Sequence, residues 1–143
     1  MFIGEYSHTI DHKKRLAIPS KLRRELDKKA VITRGLDGCL FVYPLPAWQT
    51  LADKLGRLPI GQEGGRSFIR LMLSGASEAD MDKLGRILVP DYLKKYAGLK
   101  RKAIIIGVYD RIEIWDEEKW HKYKSDIEQN TDELAAKLGE LGI

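Results

Sequence analysis

One cysteine, Cys39, stands in the whole chain, so no internal disulfide and no cysteine-rich zinc site can form. Such sparing use of cysteine suits a reducing compartment. No apolar run approaches the roughly 20 residues of a membrane span. The opening Met1-Phe2-Ile3-Gly4-Glu5-Tyr6-Ser7 has neither the basic leader nor the long apolar stretch of a signal peptide. Cytoplasm is the expected location, without a membrane partner. Catalytic signatures are missing too. His8 and His12 lie four apart, but no Glu follows the first, and the pair leaves a strand rather than lining a helix. There is no Gly-x-Ser-x-Gly elbow, and Gly61, Gly64 and Gly65 lead to no Gly-Lys-Ser/Thr. The expectation is a non-enzyme with no metal, no cofactor and no small-molecule substrate.

What is present is a soluble globular composition, 43% hydrophobic and 32% charged over 143 residues. That length holds one ordinary domain or two small units sharing a core. The net charge of +4 is unevenly spread. Residues 11–29 carry eight Lys or Arg against three acids, and residues 82–102 carry seven against two. From Asp116 to Glu140 the balance reverses, with eight acids and four lysines. Each basic stretch reads either as a solvated face or as an anion-binding one.

The two basic stretches open two copies of one unit. Asp11-His12-Lys13-Lys14-Arg15-Leu16-Ala17-Ile18-Pro19-Ser20 returns 71 positions later as Asp82-Lys83-Leu84-Gly85-Arg86-Ile87-Leu88-Val89-Pro90-Asp91. Further on, Ala30-Val31-Ile32 matches Ala103-Ile104-Ile105, Leu40-Phe41-Val42-Tyr43 matches Ile112-Glu113-Ile114-Trp115, and Trp48 matches Trp120. A period this long, present twice, marks a duplication rather than a solenoid. A half of about 70 residues is marginal alone, so the halves are expected to pack together or into an oligomer.

Within each copy the pattern reads strand, charged loop, short strand, short helix, hairpin and second helix. Glu5 to Ile10 alternates as a half-buried strand, and Leu16-Ala17-Ile18 is a short buried one. Ser20 and Asp91 are suited to cap the short helices, whose inner faces are Leu22 and Leu26, then Leu93 and Ala97. Asp37-Gly38 supplies a tight turn, whereas Tyr109-Asp110-Arg111 has no glycine. Trp48, Leu51 and Leu55, matching Trp120, Tyr123 and Ile127, fall at helical spacing and read as core. Between the copies, 56–65 is a glycine-rich connector leading to a helix with Ser67 as its cap, a candidate subunit contact or a segment buried between the halves. Leu134 to Leu138 is weakly amphipathic. The units are 5–55 and 76–127, joined by a linker and helix at 56–75 and followed by an acidic tail at 128–143.

The remaining chemistry lies in the two Asp-x-x-x-Arg loops. A short Asp side chain accepts backbone N–H bonds and closes such a loop, while the Arg begins the next strand. One such loop is a turn staple. Two of them, crowded by Lys13, Lys14 and Lys83 with His12 alongside, place rigid arginines where they can read guanine O6 and N7, with lysines on phosphate.

Together, Met1-Phe2-Ile3-Gly4-Glu5-Tyr6, Asp11…Arg15, Asp37 to Pro44, Leu73-Ser74-Gly75-Ala76, Asp82…Arg86 and Ile112 to Asp116 resemble the MraZ family of bacterial transcriptional regulators, built from two SpoVT-AbrB-type domains. The likeness runs from Met1 to about Ile127. It implies an α+β fold, with a swapped-hairpin β-barrel of AbrB type formed by the two tandem repeats and short peripheral helices. It further implies a ring-like homo-oligomer that is nucleoid-associated and binds repeated short boxes in double-stranded promoter DNA of the division and cell-wall gene cluster, its own gene included. Arg15 and Arg86 would read bases, with Lys13, Lys14, Lys83 and His12 on the DNA and Asp11, Asp82 and Gly85 shaping the loops. The family loop carries Gly before its Arg. Gly85 keeps that pattern and Lys14 departs from it, at a cost of about 1–2 kcal/mol if the position needs positive φ. A second expectation is an antitoxin-like protein-interaction module that uses the acidic tail.

Overall fold

The computed structural model describes residues 1–143. The first copy folds as β1 (Glu5–Thr9), β2 (Arg15–Ala17), α1 (Ser20–Leu26), β3 (Lys29–Arg34), β4 (Leu40–Pro44) and α2 (Leu45–Gly56). After α3 (Glu63–Gly75), the second repeats it as β5 (Ser77–Asp80), β6 (Arg86–Leu88), α4 (Asp91–Tyr96), β7 (Lys102–Val108), β8 (Arg111–Asp116) and α5 (Glu117–Gln129). A last helix, α6 (Thr131–Glu140), ends the chain. The protein is a mixed α+β fold with an antiparallel sheet and six helices.

Strand pairing interleaves the copies. The large sheet has the order β1-β7-β8-β4-β3-β5, and β2 and β6 form a separate two-stranded ribbon. The first strand of each copy therefore lies against the third strand of the other, as Tyr6 opposite Ile105 and Ala79 opposite Ala30. At the centre β4 meets β8 and β2 meets β6, which places a pseudo-twofold axis through both contacts. Neither copy contains a complete sheet of its own. The hydrogen-bonded sheet ends at β1 and β5, so hydrogen bonds do not close it.

The continuous apolar runs of β3, β4 and β7 follow from burial on both faces, and β8, interrupted by Glu113, is buried on both faces as well. On the inner face Ile32, Leu40, Val42, Ile105, Ile112 and Ile114 pack with Leu16, Ile18, Leu22, Ile87, Val89 and Leu93 from the ribbon and the short helices. Each of these side chains contributes about 1.5–3 kcal/mol of burial. On the outer face Phe41, Tyr43, Ile104 and Trp115 meet Leu55 of α2, Met72 of α3 and Trp120 of α5. Leu55 and Trp120 are thus core, as their spacing indicated, whereas Tyr123 packs on Trp115 with 37% of its surface exposed. At the centre of the sheet Phe41 faces Glu113. That buried carboxylate accepts from Arg111 Nη2 at 2.9 Å and from Trp115 Nε1 at 3.1 Å, and the Arg111 guanidinium lies 4.5 Å over Phe41.

Two local expectations need correction. Ser20 and Asp91 do not cap their helices. They are the first helical residues, Pro19 and Pro90 hold the cap positions, and no side chain caps either helix. The fixed φ of proline sets the entry angle in place of a capping oxygen. The helix expected to start at Ser67 begins at Glu63, so Gly64 and Gly65 are helical rather than linker. Its far end explains this: Met72 is buried, and its carbonyl accepts from Thr33 Oγ1 at 2.6 Å. Packing against β3 outweighs the roughly 1 kcal/mol that each glycine costs a helix. The second hairpin turns without glycine, as its sequence indicated, through Tyr109 at φ 63°. Gly107 lies in the strand instead, where a Cβ would come within 2.3 Å of Ile3 N.

Candidate functional site

The β1–β2 and β5–β6 connections are the two Asp-x-x-x-Arg loops, and their geometries coincide. Asp11 N donates to the Arg15 carbonyl at 3.0 Å and Lys14 N to the Asp11 carbonyl at 3.0 Å. In the second loop the corresponding bonds, from Asp82 N to the Arg86 carbonyl and from Gly85 N to the Asp82 carbonyl, are 2.9 and 3.0 Å. This is a three-residue hairpin whose residue before the Arg must be left-handed. Lys14 and Gly85 have φ of 64° and 76°, so the lysine bears the strain its sequence position suggested.

The carboxylate closes each loop. Asp11 Oδ1 accepts from Lys13 N and Arg15 N at 2.9 Å, while Oδ2 accepts from Arg15 Nε at 2.9 Å. Asp82 repeats the pattern with Leu84 N and Arg86 N at 2.9 Å and Arg86 Nε at 2.8 Å. The Arg15 backbone N–H, with lesser help from its guanidinium and from Lys13 N–H, holds the Asp11 carboxyl below its ordinary value. The Arg86 N–H does the same for Asp82.

With Nε engaged, each guanidinium is fixed in direction, and no hydrogen bond within the chain uses the Nη groups of Arg15 or Arg86. The loops are neighbours across the pseudo-twofold axis: Arg86 Nη1 lies 3.9 Å from Asp11 Oδ2. Two half-exposed guanidinium edges are thus presented side by side, suited to donate paired hydrogen bonds to planar acceptors. His12, Lys13 and Lys83 are exposed at the tips, and Lys14 reaches Asp91 Oδ2 at 2.6 Å. Leu84, where the first loop has Lys13, is 65% exposed.

Beside each loop lies a basic groove that residue-by-residue reading of the sequence did not single out. One, of about 470 Å³, runs between Asp11-His12 and Lys94, Lys100 and Arg101. Its pseudo-symmetric partner, of about 620 Å³, runs between Asp82-Lys83 and Arg23, Arg24 and Lys28. Each groove joins the loop of one copy to the short helix of the other. The signal was available in the equal charge excess of the two stretches, but the crossing of copies that brings those charges to the loops is not written in either stretch.

Fold and site together define a class: a tandem-repeat α+β protein in which interleaved copies present paired basic hairpin loops on one face. A family model described as "MraZ protein, putative antitoxin-like" matches residues 1–70 and 72–139. The chain is 51% identical over 144 residues to a "Transcriptional regulator MraZ" of Clostridium beijerinckii, with both chains covered in full. It is 50% identical over 144 residues to the protein of that name in Clostridium acetobutylicum and 47% identical over 143 to that in Alkaliphilus metalliredigens, again with full coverage of both chains. The chain belongs to the MraZ family.

Proposed function

We propose that this protein is a transcriptional regulator that binds double-stranded promoter DNA in a sequence-specific manner through its two Asp-x-x-x-Arg loops. The observation that carries the reading is the pair of arginines locked at Nε with their Nη edges free. Such an edge matches O6 and N7 of guanine in the major groove. Lys13, Lys83 and His12 supply phosphate contacts at the tips, and Lys14 adds charge at the base of the first loop. The two basic grooves continue the path of the phosphate backbone. Base contacts then specify and phosphate contacts position. The targets are repeated short boxes, read as those of the division and cell-wall gene cluster, its own gene included.

In this reading the two repeats, at 5–55 and 76–127, form a swapped-hairpin barrel of AbrB type, with β2–β6 lying across the large sheet. Residues 56–75 link them, and 128–143 are an appended tail. Several chains act as a ring-like homo-oligomer on the nucleoid, because weak loops acting together gain affinity through effective concentration. No catalysis and no cofactor are invoked. The names of the relatives, all transcriptional regulators, support the reading.

A mobility-shift titration tests it, comparing the duplex upstream of this protein's own gene with a shuffled duplex. Preference for the first is expected, with affinity falling on added salt at a log-log slope near −0.9 per phosphate neutralised. Arg15→Ala or Arg86→Ala relaxes specificity by about 1–3 kcal/mol, whereas Lys13→Ala weakens both duplexes alike. Equal binding of wild-type protein to both duplexes overturns the proposal. One observation favours a second, protein-binding role: every residue of α6 is exposed, and its first turn is acidic. Removing 128–143 without loss of DNA preference, but with loss of a captured basic partner, would support that role.

A further inference from the structure

Lys14 and Gly85 hold the same left-handed place in the two loops, yet only one has a side chain. The second loop has no room for one. A Cβ on Gly85 would lie 2.3 Å from Nε and Cζ of Arg23. The Arg23 guanidinium, projecting from α1 of the first copy, occupies that volume and donates from Nε to the Ile18 carbonyl at 2.7 Å. Ile18 N in turn donates to the Gly85 carbonyl at 2.8 Å. The first copy therefore closes over the loop of the second.

At the other loop the connection runs the opposite way. Val89 N donates to the Lys14 carbonyl at 2.8 Å, matching the bond from Ile18 to Gly85. The side chain now comes from the loop itself: Lys14 Nζ extends to Asp91 of α4 at 2.6 Å. In the repeat alignment Arg23 corresponds to Lys94 and Asp91 to Ser20. The first loop thus has a lysine and an acidic partner where the second has a glycine and a long guanidinium. In both arrangements one cation lies between a loop and the opposite helix: Lys14 bridges the gap with an ion pair, whereas Arg23 packs over Gly85 and is held by the carbonyl of Ile18, whose N–H binds the loop. An exposed ion pair is weak singly, so the Lys14 connection is the looser of the two.

We infer that Arg23 and Lys14 are equivalent positioning residues, one for each loop, which tie the Asp-x-x-x-Arg loops to the opposite repeat and so set the angle between the Arg15 and Arg86 guanidinium edges. The consequence for specificity rests on the DNA-reading role proposed above; the tie itself does not. Because the two ties differ in stiffness, the second loop presents its arginine more rigidly than the first.

Hydrogen exchange of the intact protein without DNA separates the two ties, since the amides of Lys13 and Arg15, and of Leu84 and Arg86, report loop closure. Arg23→Ala is expected to speed exchange about tenfold in 82–86 and leave 11–15 unchanged. Lys14→Ala or Asp91→Ala does the reverse. Transplanting the second tie into the first loop, as Lys14→Gly with Lys94→Arg, restores the slow exchange that Lys14→Gly alone loses. In the duplex titration, Arg23→Ala lowers discrimination between the duplexes about tenfold, in addition to the loss, shared by both duplexes, that follows from removing a cation of the groove. A phosphate contact alone would instead lower both affinities by the same factor and leave discrimination unchanged. Unchanged exchange at 82–86 in Arg23→Ala, equal acceleration of both loops, or failure of the transplant overturns the inference. Absence of duplex discrimination in wild-type protein overturns the DNA reading alone.

Discussion

Asp11 and Asp82 each close a loop with one oxygen on two backbone amides and the other on an arginine, and this fixes how the site answers to pH. Both carboxyls sit below their ordinary value, chiefly through the backbone N–H of Arg15 and of Arg86. A carboxyl lowered on folding favours the closed form fully above its unfolded value, and that contribution is lost as pH falls through the lowered one. Loop closure is therefore expected to be flat from about pH 8 to 5 and to decline only below about pH 4. Amide exchange of 11–15 and 82–86 against pH checks this, and a midpoint between pH 5 and 7 would assign the transition to other groups. Gly85 gives a second expectation. Gly85→Ala places a Cβ at positive φ, costing about 1–2 kcal/mol, and also displaces Arg23. Urea unfolding should show at least that loss, with the disturbance confined to the second loop. At this scale the sequence was informative, because a hairpin this tight leaves Asp, the residue before Arg, and Arg itself little choice of role. Arg23 escaped because its partner is on the other copy, 62 residues away.

Helices and strands were legible where periodicity reported burial and illegible where proline, glycine or a distant contact decided. The apolar strands stood out because both faces of the sheet are covered, and their matched positions pack around the pseudo-twofold axis. The helix starts did not, since Pro19 and Pro90 replace capping side chains and α3 runs through two glycines to bring Met72 under Thr33. α3 also completes the outer core with Phe68 and Ile69. Over the second copy α5 carries the load through Trp120, which packs 5.2 Å from Trp115 and donates from Nε1 to Glu5 at 2.8 Å. Trp120→Ala should cost about 3–5 kcal/mol, read as a lower midpoint in denaturant, while the loop amides stay protected under native conditions. Loss of loop protection in the folded variant would mean that the outer core and the loops are coupled, contrary to their placement on opposite faces of the sheet.

For the molecule as a whole, the interleaving makes each repeat depend on a partner, and the centre of the sheet determines which partner serves. A fragment of residues 1–75 leaves β1 without a sheet partner, β3 and β4 each with one open edge, and the inner face of Ile32, Leu40 and Val42 open to water, so it has no stable folded monomer. Two copies of that fragment can reproduce the pseudo-twofold axis as a true one, with Phe41 meeting Phe41 where it now meets Glu113. Two copies of 76–143 cannot do so equally well. They bring Glu113 against Glu113, remove the Phe41 ring from beneath Arg111, and bury two like charges side by side. Sedimentation of the separate fragments should therefore find 1–75 as a folded dimer and 76–143 unfolded or weakly associated, and mixing them should yield the heterodimer in preference to either. Glu113→Phe in the second fragment should let it pair with itself. If 76–143 dimerises as readily as 1–75 without that change, the Phe41–Glu113 contact does not select partners, and the asymmetry at the centre of the sheet is incidental to how the two halves find each other.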